Sequence, residues 1–122
     1  MKKSIANKWI KALKSGEYNQ TTDYLKQDTG FCALGVLCDL AVKEGIIPEP
    51  KKVFECDGIT EMYSFLGSVA TPPSKVLTWA GLNTDKGEFS EGLQRISISQ
   101  LNDEGYTFLD IADKIKEHKE QL

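Results

Sequence analysis

Phe31-Cys-Ala-Leu-Gly-Val-Leu-Cys-Asp-Leu-Ala-Val42 is the longest apolar run in the chain, and only Asp39 interrupts it. At helical rise it spans about 18 Å, too short for a bilayer and suited to a buried core helix. A central helix over 31–44 is therefore expected. Wound as a helix, the run has two faces. Phe31, Leu34, Leu37, Cys38 and Ala41 make a broad apolar face, while Cys32, Gly35, Asp39 and Lys43 follow one another along a second stripe. Glycine in a helix interior costs about 1 kcal/mol relative to alanine, so Gly35 points to close approach by a backbone or a ligand. Asp39, set among apolar neighbours, must reach a cation, a cluster of backbone N–H groups or a ligand.

The flanks of this run carry their own punctuation. Asp28 or Thr29 can supply its N-cap, which would put Cys32 in the first turn, where a thiol ionises more easily. Gly45, followed by Pro48 and Pro50, stops it. Upstream, Ser4 can cap a helix over 4–15 that buries Ile5, Trp9, Ala12 and Leu13 and stops at Ser15-Gly16. Residues 17–30 are polar and read as a loop or short extended segment.

Downstream, 53–56 and 60–66 alternate imperfectly around Asp57-Gly58, a type I′ turn signal, so a small β-hairpin is expected near 53–66. Thr71-Pro72-Pro73-Ser74 opens a short helix through Val76, Leu77 and Ala80, closed by Gly81. Residues 88–95 are polar and glycine-interrupted, and support no more than a short strand or loop. Ser97-Ile-Ser-Gln100 and Thr107-Phe-Leu-Asp110 fit capping boxes, which gives a C-terminal helix pair meeting at Gly105. Tyr106 and Ile111 take the staple positions of the second helix, whose apolar stripe is Phe108, Ile111, Ala112 and Ile115. The expected fold is α+β: a compact single domain over 1–122, mainly helical around the buried central helix.

Composition narrows the function classes. At 122 residues the chain fits one core, and a formal net charge of -3 argues against general binding to a phosphate backbone. Lys2, Lys3, Lys8, Lys11 and Lys14 read as the solvated face of the first helix. Cys32, Cys38 and Cys56 are odd in number, lack C-x-x-C spacing and coexist with a single histidine. Free thiols in a cytoplasmic protein are expected, with no metal site and no cofactor. Residues 5–13 are broken by Asn7, Lys8 and Lys11 and make no export signal or membrane anchor.

Several segments together resemble a family of small tailed-phage and prophage proteins to which no activity attaches. They are Ser15-Gly16, Tyr18-Asn19-Gln20, Phe31 to Leu40, Trp79 to Leu82, and Leu101 to Phe108. The central string is the most specific of these. Ala33 stands where that family carries a second cysteine, so the resemblance supplies no adjacent thiol pair. It implies a phage or prophage accessory protein made in the bacterial cytoplasm.

Catalytic readings of the chain are thin. Cys32 at a helix start, with Gln20 as oxyanion donor, would suit a cysteine hydrolase, but the lone His118 is expected to be solvated near a frayed helix end. Asp103 and Glu104 could form an acid pair, yet at a helix end they serve as capping and solvent groups. Leu101 to Ile115 looks like the first two helices of a helix-turn-helix, but no recognition helix follows, and Asp110, Asp113 and Glu117 would meet phosphates. No phosphate-binding glycine loop occurs.

A non-enzymatic binding module is the leading expectation. Cys32, Gly35 and Asp39 would floor a cleft, with Tyr18, Gln20 and Trp79 supplying stacking and amide groups and Asn102 and Asp103 adding polar contacts. Such a cleft suits a nucleotide-like host signal sequestered in counter-defence. The alternatives are a protein inhibitor of a host defence protein, the helix-turn-helix DNA binder and the Cys32 hydrolase.

Overall fold

A computed structural model describes residues 1–122. The central helix, α2, runs Ala33–Lys43 and buries Ala33 through Cys38 and Ala41. It begins two residues later than its apolar run. Three short strands explain the delay: β1 (Asn19–Gln20), β2 (Lys26–Gln27) and β3 (Gly30–Phe31) form a sheet with β3 in the middle, parallel to β1 and antiparallel to β2. Gly30 and Phe31 are committed to that ladder, so the helix starts only after it. Cys32, not Asp28 or Thr29, is the N-cap, and its Sγ accepts from the Gly35 N–H at 3.3 Å. At the other end Glu44 caps the helix and Gly45 turns away at φ +74°.

Helix α1 (Lys3–Lys14) buries Ile5, Ala6, Trp9 and Leu13 against α2 and the last helix, α5 (Phe108–His118). Its N-cap is Lys2, without a side-chain bond, rather than Ser4. A tertiary contact sets this boundary: the Lys2 N–H donates to the Ala80 carbonyl at 2.8 Å. Ala80 ends α3 (Ser74–Ala80), which closes on Gly81 at φ +68° as its sequence indicates.

The first hairpin pairs β4 (Lys51–Phe54) with β5 (Glu61–Ser64). Its connection is not the type I′ turn expected. The Asp57 carboxylate accepts from the Ile59 and Thr60 N–H groups at 2.8 and 2.9 Å and from the Thr60 hydroxyl at 2.7 Å, organising a wider loop about itself. A second hairpin occupies the stretch read as loop or short strand. It pairs β6 (Glu88–Glu91) with β7 (Gln94–Ser97) through Gly92-Leu93, with Gly92 at φ +63°. Glycine first in a two-residue loop permits the reversal, and Phe89 and Ile96 pair across the ladder on its inner side.

The C-terminal helices are α4 (Ile98–Asp103) and α5 (Phe108–His118). Ser97 accepts from the Gln100 N–H, but the reciprocal half of that box is missing because Gln100 Nε2 donates to Glu104 instead. The Thr107–Asp110 box is complete. One apolar cluster draws on all five helices, with Phe31, Phe65 and Phe89 closing it from the strands and loops. The α+β fold is thus a helical core with small sheets at its rim. No helix is long and apolar enough to cross a membrane.

Candidate functional site

The eight residues expected to share a cleft fall into separate places. Gly35 shows why most directly. A Cβ there would lie 1.7 Å from the Leu25 carbonyl oxygen, so the close approach is by the chain's own backbone. Leu25 also accepts from the Cys32 N–H at 3.2 Å, while its own N–H donates to Val69 at 2.8 Å. The segment before β2 is laid across the start of α2 and fills the space a ligand would need.

Gln20 and Asn102 are consumed by one internal clasp. Asn102, 1% exposed, accepts at Oδ1 from the Ala33 N–H (3.1 Å) and from Gln20 Nε2 (2.9 Å), and donates from Nδ2 to the Thr21 carbonyl (2.8 Å). Gln20 Nε2 also donates to the Tyr106 carbonyl at 2.7 Å, and its Oε1 accepts from the Phe108 N–H at 3.1 Å. One of the free N–H groups of α2 and one of α5 are satisfied by these two amides. The Trp9 indole completes the junction by donating to the Ala33 carbonyl at 2.9 Å. The Tyr-x-Gln, central-helix and Leu-Asn-Asp segments therefore meet as structure, with little bonding capacity left for a ligand.

Cys32 is the capping thiol of α2 and is buried. Burial pushes it up to about 11, outweighing the Gly35 N–H bond that favours the thiolate, so the easier ionisation expected at a helix start does not occur. Its sulfur and His118 share no partner. Cys38, deeper in the core, is pushed up further by burial, and Cys56 is exposed.

Asp39 has the cation that its setting demanded, but at the surface. Lys43 Nζ lies 3.3 Å from its Oδ2, the same oxygen accepts from the Tyr18 hydroxyl, and Lys43 also donates to that hydroxyl at 3.1 Å. Burial, then the bond to Asp39, holds the Tyr18 phenol above its ordinary value. Asp103 accepts from the Asp23 N–H at 3.2 Å and Glu104 from the Gln100 amide at 3.1 Å. Trp79 packs half-buried against the core from α3.

His118 is packed, not solvated, and this is the polar cluster the sequence hid. Its ring stacks on Phe89 with centroids 4.6 Å apart, and its side chain is 11% exposed. Nε2 sits 2.9 Å from Glu91 Oε2, an oxygen that also receives Lys114 Nζ at 2.6 Å. The Lys114 bond first, then His118, hold the Glu91 carboxyl below its ordinary value. Glu117 brings a third ligand-type atom within 4.8 Å. Lys114 already neutralises the shared carboxylate, which makes the cluster an ion-paired clamp between β6 and α5.

The largest recess lies elsewhere. A groove of about 420 Å³ runs between Gln94, Arg95 and Ile96 of β7 and Gln100 and Leu101 of α4 with its cap Glu104, and Tyr106 lies beside them. Tyr106 was expected to staple α5 but is 41% exposed and lines this groove instead. Leu93, at the tip of the same hairpin, is fully exposed. Nothing in the sequence marks this groove, because each wall is a short polar segment. No curated protein and no solved structure matches the chain. A family model, Domain of unknown function (DUF8296), matches residues 1–119, and the chain belongs to that family.

Proposed function

We propose that this is a phage or prophage accessory protein of the bacterial cytoplasm that acts without chemistry, by binding a host protein. One contrast carries the reading. The polar side chains that would have gripped a small ligand are spent on the Gln20–Asn102 clasp and the Tyr18–Asp39–Lys43 cluster, whereas the groove beside β7 is open and bordered by exposed apolar groups. Leu93 at the tip of the hairpin and Tyr106 in the groove itself stand in water, as do groups that become buried at interfaces. The resemblance to phage proteins supplies the setting, and host defence is the process we propose it acts upon.

Affinity purification of the tagged protein from a bacterium carrying defence systems, followed by mass spectrometry, tests this. A stable host-protein complex that Leu93→Asp weakens supports the reading. An intact nucleotide released on denaturation, with no protein partner, would replace it with sequestration of a small signal. Metabolite turnover lost in Cys32→Ser would overturn it in favour of an enzyme.

A further inference from the structure

The two edges of the β6–β7 hairpin are finished differently. In its ladder Glu91 faces Gln94 and Phe89 faces Ile96, flanking the two-residue loop as hydrogen-bonded pairs, so the backbone groups of Glu88, Ser90, Arg95 and Ser97 point outward. On β6 every outward group but one has a partner. The Glu88 N–H donates to the Thr84 hydroxyl at 2.8 Å, and the Gln121 side chain both accepts from the Ser90 N–H at 2.7 Å and donates to its carbonyl at 3.0 Å. Gln121 thereby imitates a neighbouring strand. On β7 the Arg95 N–H and carbonyl and the Ser97 N–H have no such partner in the chain.

At Arg95 that unfinished edge opens on the groove, and at Ser97 on a smaller recess that adjoins it and shares Arg95, Ile96 and Gln100. Side chains of a strand alternate between faces, so three consecutive residues, Gln94, Arg95 and Ile96, along one recess place the strand's edge in it. The facing wall is α4. In the groove Arg95 Nε pairs with Glu88 at 3.5 Å and the Glu104 carboxylate accepts from the Gln100 amide at 3.1 Å, while Ile96, Leu101 and Tyr106 give it apolar surface. A strand edge paired with a helix wall is the arrangement that accepts an added strand, whose main chain gives affinity and whose alternate side chains give specificity.

We infer that the partner is read as an extended segment that adds to the outer edge of β7, carrying a bulky apolar side chain at an alternate position over Leu101 and Tyr106. This rests on the protein-binding reading above and names its mode. A loop or a helix laid in the groove would leave the Arg95 and Ser97 groups unpaired, at a cost for each buried one. A strand satisfies both with residues two apart.

The test is selection of displayed random peptides of about twelve residues on the full-length protein, then synthesis of the selected peptides and amide hydrogen exchange by NMR. The expected result is that a bound peptide slows exchange at Arg95 and Ser97 by at least about tenfold, and that Gln100→Trp, which fills the groove from its α4 wall, weakens binding by at least about tenfold. N-methylation at alternate peptide positions should abolish binding. Peptides that protect other amides, or that bind Gln100→Trp undiminished, would overturn the inference, as would a screen that selects none. Protection of Arg95 and Ser97 that grows with protein concentration alone would overturn it in favour of a second copy on the same edge. A host protein that co-purifies yet leaves those two amides unprotected would refute strand addition while protein binding stands. Absence of any protein partner would remove both.

Discussion

Cys32, Gly35, Asp39 and Lys43 lie on one stripe of α2, yet its two ends have opposite fates. At the N-terminal end, the Leu25 backbone lies on Gly35, Asn102 takes the Ala33 N–H and the Cys32 thiol caps the helix out of water. At the C-terminal end, Asp39 and Lys43 reach solvent and meet only Tyr18. Identical helical periodicity thus produced a sealed junction and an open ion pair. What differs is the cover: residues 20–25, α4 and the start of α5 converge on one end, and a single tyrosine leans on the other.

The widest gap between the two ends should appear at Gly35. Gly35→Ala places a Cβ against backbone that cannot swing aside, and a loss of more than about 3 kcal/mol is expected, read as a large fall in Tm. An unchanged Tm would mean that Leu25 does not lie on the helix. Next comes Asn102→Leu, which strands the Ala33 N–H, the Thr21 carbonyl and part of the Gln20 amide in a buried place. About 2–4 kcal/mol should be lost in urea unfolding, and Gln20→Ala should cost less because its neighbourhood admits water.

The sealed end should also be the alkali-sensitive one. The Cys32 thiol is raised in the fold to about 11 from an ordinary 9.0, so between those pH values the native state keeps a proton that the unfolded chain releases. Stability is therefore intact below pH 9 and falls as pH climbs toward 11, by about 2–3 kcal/mol from this group. Urea melts across that range should show the slope, reduced in Cys32→Ala, with Cys38 adding loss in the same direction. At neutral pH, iodoacetamide should label Cys56 promptly and the other two only on unfolding. Rapid native labelling of Cys32 would break the contrast.

The smallest effect belongs to the open end. Asp39→Asn should cost only about 0.5–1 kcal/mol, because water can take over what Tyr18 and Lys43 lose. Its clearer signature is titration: with the carboxylate gone, the Tyr18 phenol should ionise at lower pH than in the wild type, read as the ultraviolet difference from Tyr18→Phe. A loss as large as that of Asn102→Leu would show that the two ends are not different in kind.

Local signals carried the sequence reading where it succeeded. The apolar run made α2 central, Gly45 and Gly81 stopped their helices, Thr107 and Asp110 closed a capping box, and Gly35 announced a close approach. All but the last are decided by residues within a few positions of one another, where backbone geometry and short-range bonding dominate, while Gly35 marked the approach without naming Leu25 as its cause. The β6–β7 hairpin escaped because its loop is Gly92-Leu93 rather than an Asn-Gly type, and only Phe89 and Ile96 pair toward the core from its two strands.

Tertiary structure alone decided what the polar residues do. Gln20 bonds to residues 82 to 88 positions away, Asn102 caps a helix 69 positions before it, and His118 finds Glu91 and Phe89 across the β6–β7 hairpin. An amide in a sequence reads equally as a ligand contact or a strut, since its donors and acceptors are the same in both. Only the packing that brings particular backbone groups against it determines whether that bonding capacity is spent inside the molecule, as at Asn102, or left over at an edge, as beside Arg95.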